Sequence, residues 1–261
     1  MLLGCCTSIE NYDLVATSGY QSIILPATEI VDMNNKNLQR VKQIIENGPL
    51  KCETLNSFCT PSLKLCGNNY DPDALDTYCL YLAKKAYYLG IHNIGIGAPK
   101  SRSLEDGFSR TIGYQQIKKS IRIISNIFKK YNINVLLEPV CSLECNFITT
   151  TVEALALINE LRLENLFLVY DLYHAQAEGE SIIPLYNASE KIKVVHIAEN
   201  INNERRYLRS DYIEKHKPFA RVLIEISYDG EVAIEAFGKI KDIYLKESIK
   251  ILKKLFYSSI K

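Results

Sequence analysis

The sequence predicts an α/β chain folded as a single (β/α)8 barrel, one domain over residues 1–261. Eight short apolar runs alternate with segments of helical periodicity, in a chain close to the roughly 250 residues that eight strand–helix units occupy. The runs are mostly continuous rather than alternating, as expected of parallel strands covered on both faces. The first run is followed by Cys6-Thr-Ser-Ile-Glu10, without the glycines that follow the first strand of an open, doubly wound nucleotide-binding sheet.

Taken in order, Leu2–Cys6 is the first strand candidate, with a short helix over Tyr12–Ala16 behind it. Ser22–Leu25 is the second strand, closed by Pro26. Asn37–Glu46 carries Leu38, Val41, Ile44 and Ile45 on one helical face and stops at Asn47-Gly48-Pro49. Lys51–Leu55 is the third strand. The clearest helix has Asp71 as N-cap, Pro72 at its first position and Gly90 as its stop. Asn93–Gly97 is the fourth strand, a loop spans 98–108, and Ile117, Ile121, Ile124 and Phe128 mark the next helix. Val135–Leu137 is the fifth strand and ends at Glu138, because Pro139 cannot donate to a central ladder. Thr150-x-x-Glu153 is a capping box opening a helix that runs to Leu161. Leu166–Tyr170, Lys193–Ile197 and Glu231–Ala236 are the sixth, seventh and eighth strands. A helix around Phe219–Ile226 precedes the last of them, and an amphipathic helix over Tyr244–Tyr257 follows it.

Composition narrows the function. A formal net charge of +1 with both signs interspersed offers no polyanion-binding surface. The opening Met-Leu-Leu-Gly-Cys-Cys lacks the basic and long apolar regions of a secretory signal. No apolar run approaches the ~20 residues of a spanning helix. The eight cysteines form no paired CxxC set, and several lie inside apolar runs, where Cys behaves as a small hydrophobe. These features predict a reduced, cytoplasmic protein of enzyme size, without nucleic-acid or membrane partners and compatible with a homo-oligomer.

The strand ends carry the chemistry. Glu138 ends the fifth strand, Asp171 closes Leu166-Phe-Leu-Val-Tyr-Asp171, His196 ends Val194-Val195-His196, and Glu235 ends Val232-Ala-Ile-Glu235. Taken singly, each has an ordinary reading: a core His, a helix-capping Asp, an exposed Glu at a strand end. Their recurrence at four successive strand ends points to one site, because barrel active sites are built at the C-terminal ends of the strands. Two Glu, one Asp and one His make a hard-to-borderline ligand set, suited to Mn²⁺, Mg²⁺, Co²⁺ or Zn²⁺ rather than to a thiolate structural site.

Glu138-Pro-x-x-x-x-Glu144, Asp171-x-x-His174, His196-Ile-Ala-Glu199 and the terminal Ile-Glu235 resemble the xylose-isomerase-like TIM-barrel superfamily. Within it they are most similar to the sugar phosphate isomerase/epimerase branch, which includes ketose 3-epimerases and hydroxypyruvate isomerase. The resemblance runs from Asn56-Ser-Phe58 through Arg102 to the last strand. It implies that Glu138, Asp171, His196 and Glu235 bind the metal and that Glu144 and His174 touch a small-molecule sugar or sugar phosphate. It further implies that Glu138 and Glu235 are the catalytic acid/base pair. Arg205, in preference to Arg206, matches the family's Arg after the strand-seven His, and Arg102 and Asn56 are further substrate candidates. Arg102 reads equally well as a solvated loop charge. With no Trp in the chain, Phe58, Tyr173 or Phe108 would supply the aromatic wall.

The reaction that fits is isomerisation or epimerisation by proton removal next to a carbonyl, through an enediolate. A dehydratase of the inosose type would use the same site. An endonuclease IV-like nuclease fits poorly, since the chain has four His in all and a near-neutral charge. A barrel that only binds sugar would not need the full ligand set.

Overall fold

The computed structural model describes residues 1–257, so the last four positions of the expected domain lie outside the described residues. The strands in chain order are β1 (Leu2–Cys6), β2 (Ser22–Pro26), β3 (Lys51–Asn56), β4 (Asn93–Ile96) and β5 (Asn134–Leu137). They continue with β6 (Leu166–Asp171), β7 (Ile192–Ile197), β8 (Glu199–Ile201), β9 (Glu204–Arg206) and β10 (Glu231–Ile234). Eight of them close a barrel in the order β1-β10-β7-β6-β5-β4-β3-β2, and every pairing in it is parallel. All eight expected strands are there, with ends shifted by one or two residues. β8 and β9 are additional and form an antiparallel hairpin outside the barrel.

Helix ends obey the local signals. Asp71 Oδ1 accepts from the Asp73 and Ala74 N–H groups at 3.0 Å, and Gly90 closes the Pro72–Leu89 helix at φ 78°. Both halves of the Thr150–Glu153 capping box are formed. The helix expected around Phe219 begins earlier, at Ile213, and runs through Pro218, giving up one backbone hydrogen bond there. Short helices over Ala27–Asp32, Pro99–Arg102, Leu172–Ala177 and Ile183–Asn187 escaped the sequence reading, since one or two turns are too few to show a period.

Two apolar clusters divide the strand side chains. Ile23, Leu25, Val135, Leu137, Val195 and Ile197 join the large core shared with the helices. Ile24, Leu136, Val169, Val194 and Ala233 form a separate cluster, one residue from each of five strands, which fills the inside of the closed barrel. Successive side chains on a strand point to opposite faces, so positions two away from these residues also point inward. The ladder agrees: Asp171, His196, Ala233 and Gly4 are register partners in turn, on one face.

At the N-terminal end the inward positions are polar. Asn134 Nδ2 donates to Asn93 Oδ1 (3.0 Å), and Asn93 Nδ2 to Thr54 Oγ1 (3.4 Å). Thr54 Oγ1 in turn donates to Glu231 Oε2 (3.0 Å), so one chain of hydrogen bonds crosses four strands. Burial pushes the Glu231 carboxyl above its ordinary pKa by more than Ser22, Thr54 and His196 draw it down. A second buried carboxylate, Glu199, accepts from His216 Nε2 at 2.9 Å, tying the root of β8 to the Ile213–Glu225 helix with both side chains fully enclosed.

Two predictions follow from these buried carboxylates. Because the folded-state pKa of Glu231 is raised, the folded chain keeps a proton that the unfolded chain has lost, and stability falls as pH rises above the ordinary Glu range. Glu231→Gln should therefore raise the melting temperature more at pH 8 than at pH 5; an equal or larger gain at pH 5 contradicts the sign. His216→Ala leaves Glu199 buried and unpaired and should cost about 3–5 kcal/mol in a denaturant titration.

Candidate active site

The alternation that buries Leu136, Val169, Val194 and Ala233 inside the barrel places the next inward residue of each strand at its C-terminal mouth. Those residues are Glu138, Asp171, His196 and Glu235. Glu138 and Glu235 lie just past their strands but remain in the ladder, their N–H groups donating to Ile96 O (3.2 Å) and Ile197 O (3.1 Å). Gly97, at the neighbouring strand end, makes room: a Cβ there would stand 2.5 Å from Glu138 Oε2.

One ligand atom from each of the four lies within 4.8 Å of the others. His196 Nδ1 is 3.3 Å from Glu138 Oε1, 3.5 Å from Glu235 Oε2 and 4.0 Å from Asp171 Oδ2. Asp171 Oδ1 is held by the N–H groups of Tyr173 (2.7 Å) and His174 (3.3 Å), as N-cap of the Leu172–Ala177 helix, which leaves Oδ2 facing the cluster. Burial pushes the Glu138 carboxyl up, while Glu235, also driven up by burial, is held well below the ordinary value by His196 and Arg205. Burial pushes the His196 pKa down, but Cys6, Glu235 and Glu138 outweigh it and hold it well above the imidazole value. The pocket thus sets three carboxyl groups against one guanidinium and one imidazolium, and the balance is negative. Such a buried excess is costly uncompensated and fits a divalent cation held by three oxygens and Nδ1 of His196.

Arg205 reaches this cluster on the hairpin. The turn between β8 and β9 is Asn202-Asn203, both left-handed (φ 55° and 61°), the conformation of a tight two-residue hairpin loop that Asn tolerates. Alternation along β9 sends Arg205 inward and leaves Glu204 and Arg206 outside, paired with each other. Arg205, not Arg206, is therefore the arginine at the site. Its Nη1 donates to Asp171 Oδ2 (2.9 Å) and to Glu235 Oε2, and its Nη2 contacts His174 Nε2. The guanidinium lies between the rings of Tyr173 (4.7 Å) and Phe237 (5.2 Å).

His174 Nδ1 accepts from the Cys141 N–H at 3.2 Å and lies 3.2 Å from Cys141 Sγ, while Nε2 faces the Arg205 guanidinium. Burial pushes the His174 pKa down to about 4 against the pull of Asp171, so the ring is neutral at pH 7. Asn56 Nδ2 donates to Glu235 Oε1 at 2.7 Å. Glu144 is half-buried in the loop after β5, with one oxygen within 4.8 Å of Cys141 and His174 donors.

The remaining candidates sit further back. Arg102 is not a solvated loop charge: it is fully buried and its Nη2 donates to Ile148 O (3.2 Å), bracing the loops above the mouth. Phe58 lies in the helix-side core, edge-on to Tyr78, and Phe108 is half-buried against the same core. Tyr173 is the aromatic candidate that meets Arg205. Phe237, Cys6 and Cys141 were missed as neighbours of the site. Cys6 was legible as a strand end, but Phe237, two residues past Glu235, had no signal of its own.

The xylose isomerase-like TIM barrel family model matches residues 12–255. The chain belongs to that family. A ketose 3-epimerase from Arthrobacter globiformis is 32% identical over 127 residues, covering 48% of this chain and 43% of that protein. An L-ribulose 3-epimerase from a Methylomonas species is 31% identical over 129 residues, covering 49% and 44%. The matched stretches thus span under half the length of these relatives. Among solved structures, 3-keto-D-glucoside 4-epimerase from E. coli superposes with a TM-score of 0.82 at 18% identity, over 97% of this chain and 99% of that one. D-allulose 3-epimerase from a Methylomonas species gives 0.81 at 18% identity over 98% of both chains. The family match contains all four clustered strand-end residues, so the cluster lies within the part of the chain shared with xylose isomerase-like barrels.

The division of roles can be checked on purified protein. Asp171→Asn keeps a good N-cap but removes a charge from the cluster, and divalent-ion affinity should fall by at least about 10–100-fold, the scale seen even for partners outside the ligand shell. Glu144→Gln and His174→Asn should leave Mn²⁺ content unchanged. Equal loss of ion in all three would show the roles to be misassigned.

Proposed function

We propose that this protein is a divalent-metal-dependent sugar or sugar phosphate isomerase/epimerase, acting on a ketose by proton transfer at the carbon next to the carbonyl. The observation that supports this most directly is the cluster of Glu138, Asp171, His196 and Glu235 at the barrel mouth, ringed by Arg205, His174 and Glu144. The epimerase relatives that match half of the chain support the same reading.

A bound divalent ion, Mn²⁺ in the first instance, would supply the Lewis acidity that makes the carbon acid strong enough to lose its proton. The residues do the rest. A carboxylate oxygen of Glu138 or Glu235 takes the proton from the carbon beside the carbonyl, leaving an enediolate. The other glutamate returns a proton, on the opposite face for epimerisation. Asn56 holds Glu235 Oε1 and so orients that carboxylate. Arg205 sets its guanidinium plane between Tyr173 and Phe237 and offers donors to substrate oxygens and to negative charge developing on them. Neutral His174 and half-buried Glu144 bind hydroxyls at the end of the sugar away from the reacting carbon.

The test is turnover of a panel of ketoses in deuterated water. Deuterium should appear on the carbon next to the carbonyl, and its position distinguishes epimerisation from aldose–ketose isomerisation. Glu138→Gln and Glu235→Gln should each lower kcat/KM by about 10²–10⁴-fold, the usual contribution of a positioned acid or base. Loss of water from the sugar with accumulation of a dicarbonyl product would make the protein a dehydratase, and unchanged turnover in either variant would overturn the proton-transfer pair.

A further inference from the structure

On the β5 side of the mouth, Cys141, Glu144 and His174 bring a sulfur, a carboxylate oxygen and an imidazole nitrogen within 4.8 Å of one another. We propose that these three side chains form a second metal site, selective for a soft or borderline dication such as Cd²⁺ or Zn²⁺, and that filling it shuts the sugar site.

The donors are fixed by backbone geometry. After Pro139 the chain makes a turn in which the Glu144 and Cys145 N–H groups donate to Cys141 O (2.9 and 3.0 Å). That turn puts residues 141 and 144 on the same side. His174 arrives from the neighbouring strand end, in the helix whose N-cap is Asp171, and its Nδ1 lies 3.2 Å from Cys141 Sγ and accepts from the Cys141 N–H at 3.2 Å. Bonds of about 2.3 Å to sulfur and 2.0 Å to nitrogen at the tetrahedral angle would separate those two donors by about 3.5 Å. The pair therefore needs to open by only a few tenths of an ångström. The Glu144 carboxylate makes no hydrogen bond among the described residues, so it can turn to the ion without breaking one.

Ligand chemistry separates this site from the four-residue centre. Three oxygens and one nitrogen suit Mn²⁺ or Mg²⁺, whereas a thiolate in the donor set selects for a softer ion. On binding, the thiol proton leaves to solvent as the sulfur–metal bond forms. Nδ1 takes the ion in place of the Cys141 N–H, the ring proton sits on Nε2, and Arg205 moves away from Nε2. Occupation would thus take Glu144 and His174 away from the substrate and unseat Arg205. This inhibitory consequence rests on the proposed function, but the binding itself does not.

The experiment keeps the two apart by reading the metal–thiolate bond directly. Protein in excess Mn²⁺ is titrated with Cd²⁺ and followed by the ultraviolet thiolate-to-cadmium charge-transfer band. One Cd²⁺ per chain should saturate the band, which should vanish in Cys141→Ser and persist in Cys6→Ser; Cys6 is the thiol grouped with His196 and Glu235. Circular dichroism checks that each variant is folded. If Cys141→Ser does not fold, His174→Asn, which keeps the thiol, should weaken Cd²⁺ binding at least about tenfold. A band that survives in Cys141→Ser, disappears in Cys6→Ser or never forms overturns the second site, as does unchanged affinity in His174→Asn. A band behaving as expected in a chain that turns over no ketose upholds the site and removes only the sugar reading. Where a ketose is turned over, Cd²⁺ should inhibit competitively with it.

Discussion

The alternation of side chains across the wall of a closed barrel is the constraint on which the rest of the molecule depends. With the inside of the barrel filled by Ile24, Leu136, Val169, Val194 and Ala233, every residue two positions on must also point inward. At the C-terminal end those positions are Glu138, Asp171, His196 and Glu235, and at the N-terminal end they are Asn134 and Glu231. A slip of one residue in β5, β6, β7 or β10 would turn its polar end residue into the helix layer, where an unpaired carboxylate is prohibitively costly. Closure removes the freedom to slip, because each strand is held in register by two neighbours.

Charge is the second constraint, and the two ends of the barrel meet it differently. At the N-terminal end Glu231 sits alone among hydroxyls and amides, and burial favours its neutral form. At the mouth, three carboxylates share one guanidinium and one imidazole, and the balance stays negative. Arg205 compensates part of it and is itself delivered by an element outside the barrel. The hairpin is anchored twice, through the Glu199–His216 pair at its root and the Tyr173 hydroxyl on Asn203 O (2.7 Å) at its tip. Those anchors hold the guanidinium to a geometry that a free loop would not maintain.

Side by side at the mouth lie two donor sets of different softness. They share structure through the Leu172–Ala177 helix: its N-cap, Asp171, belongs to one set and its third residue, His174, to the other. Arg205 touches both. Any change that moves that short helix therefore moves both sets together.

Local order in the sequence settled the barrel and most of the mouth. Continuous apolar runs such as Val135–Leu137 read as buried parallel strands, and the polar residue ending each run, Glu138 or His196, read as a ligand, because strand and ligand are adjacent in the chain. Asp71-Pro72 and Thr150-x-x-Glu153 marked their helices for the same reason: a cap is satisfied within a few residues. The hairpin carrying Arg205 was not legible, since Asn200-Ile-Asn-Asn-Glu204 is polar and short and gains its structure from Tyr173 and His216, distant in sequence. Nor was the inward facing of Arg205 over Arg206, the enclosure of Arg102, or the meeting of Cys141 with His174 across 33 positions. Those depend on which surfaces the closed barrel brings together, and pairing between distant segments leaves no periodicity or cap in the chain itself.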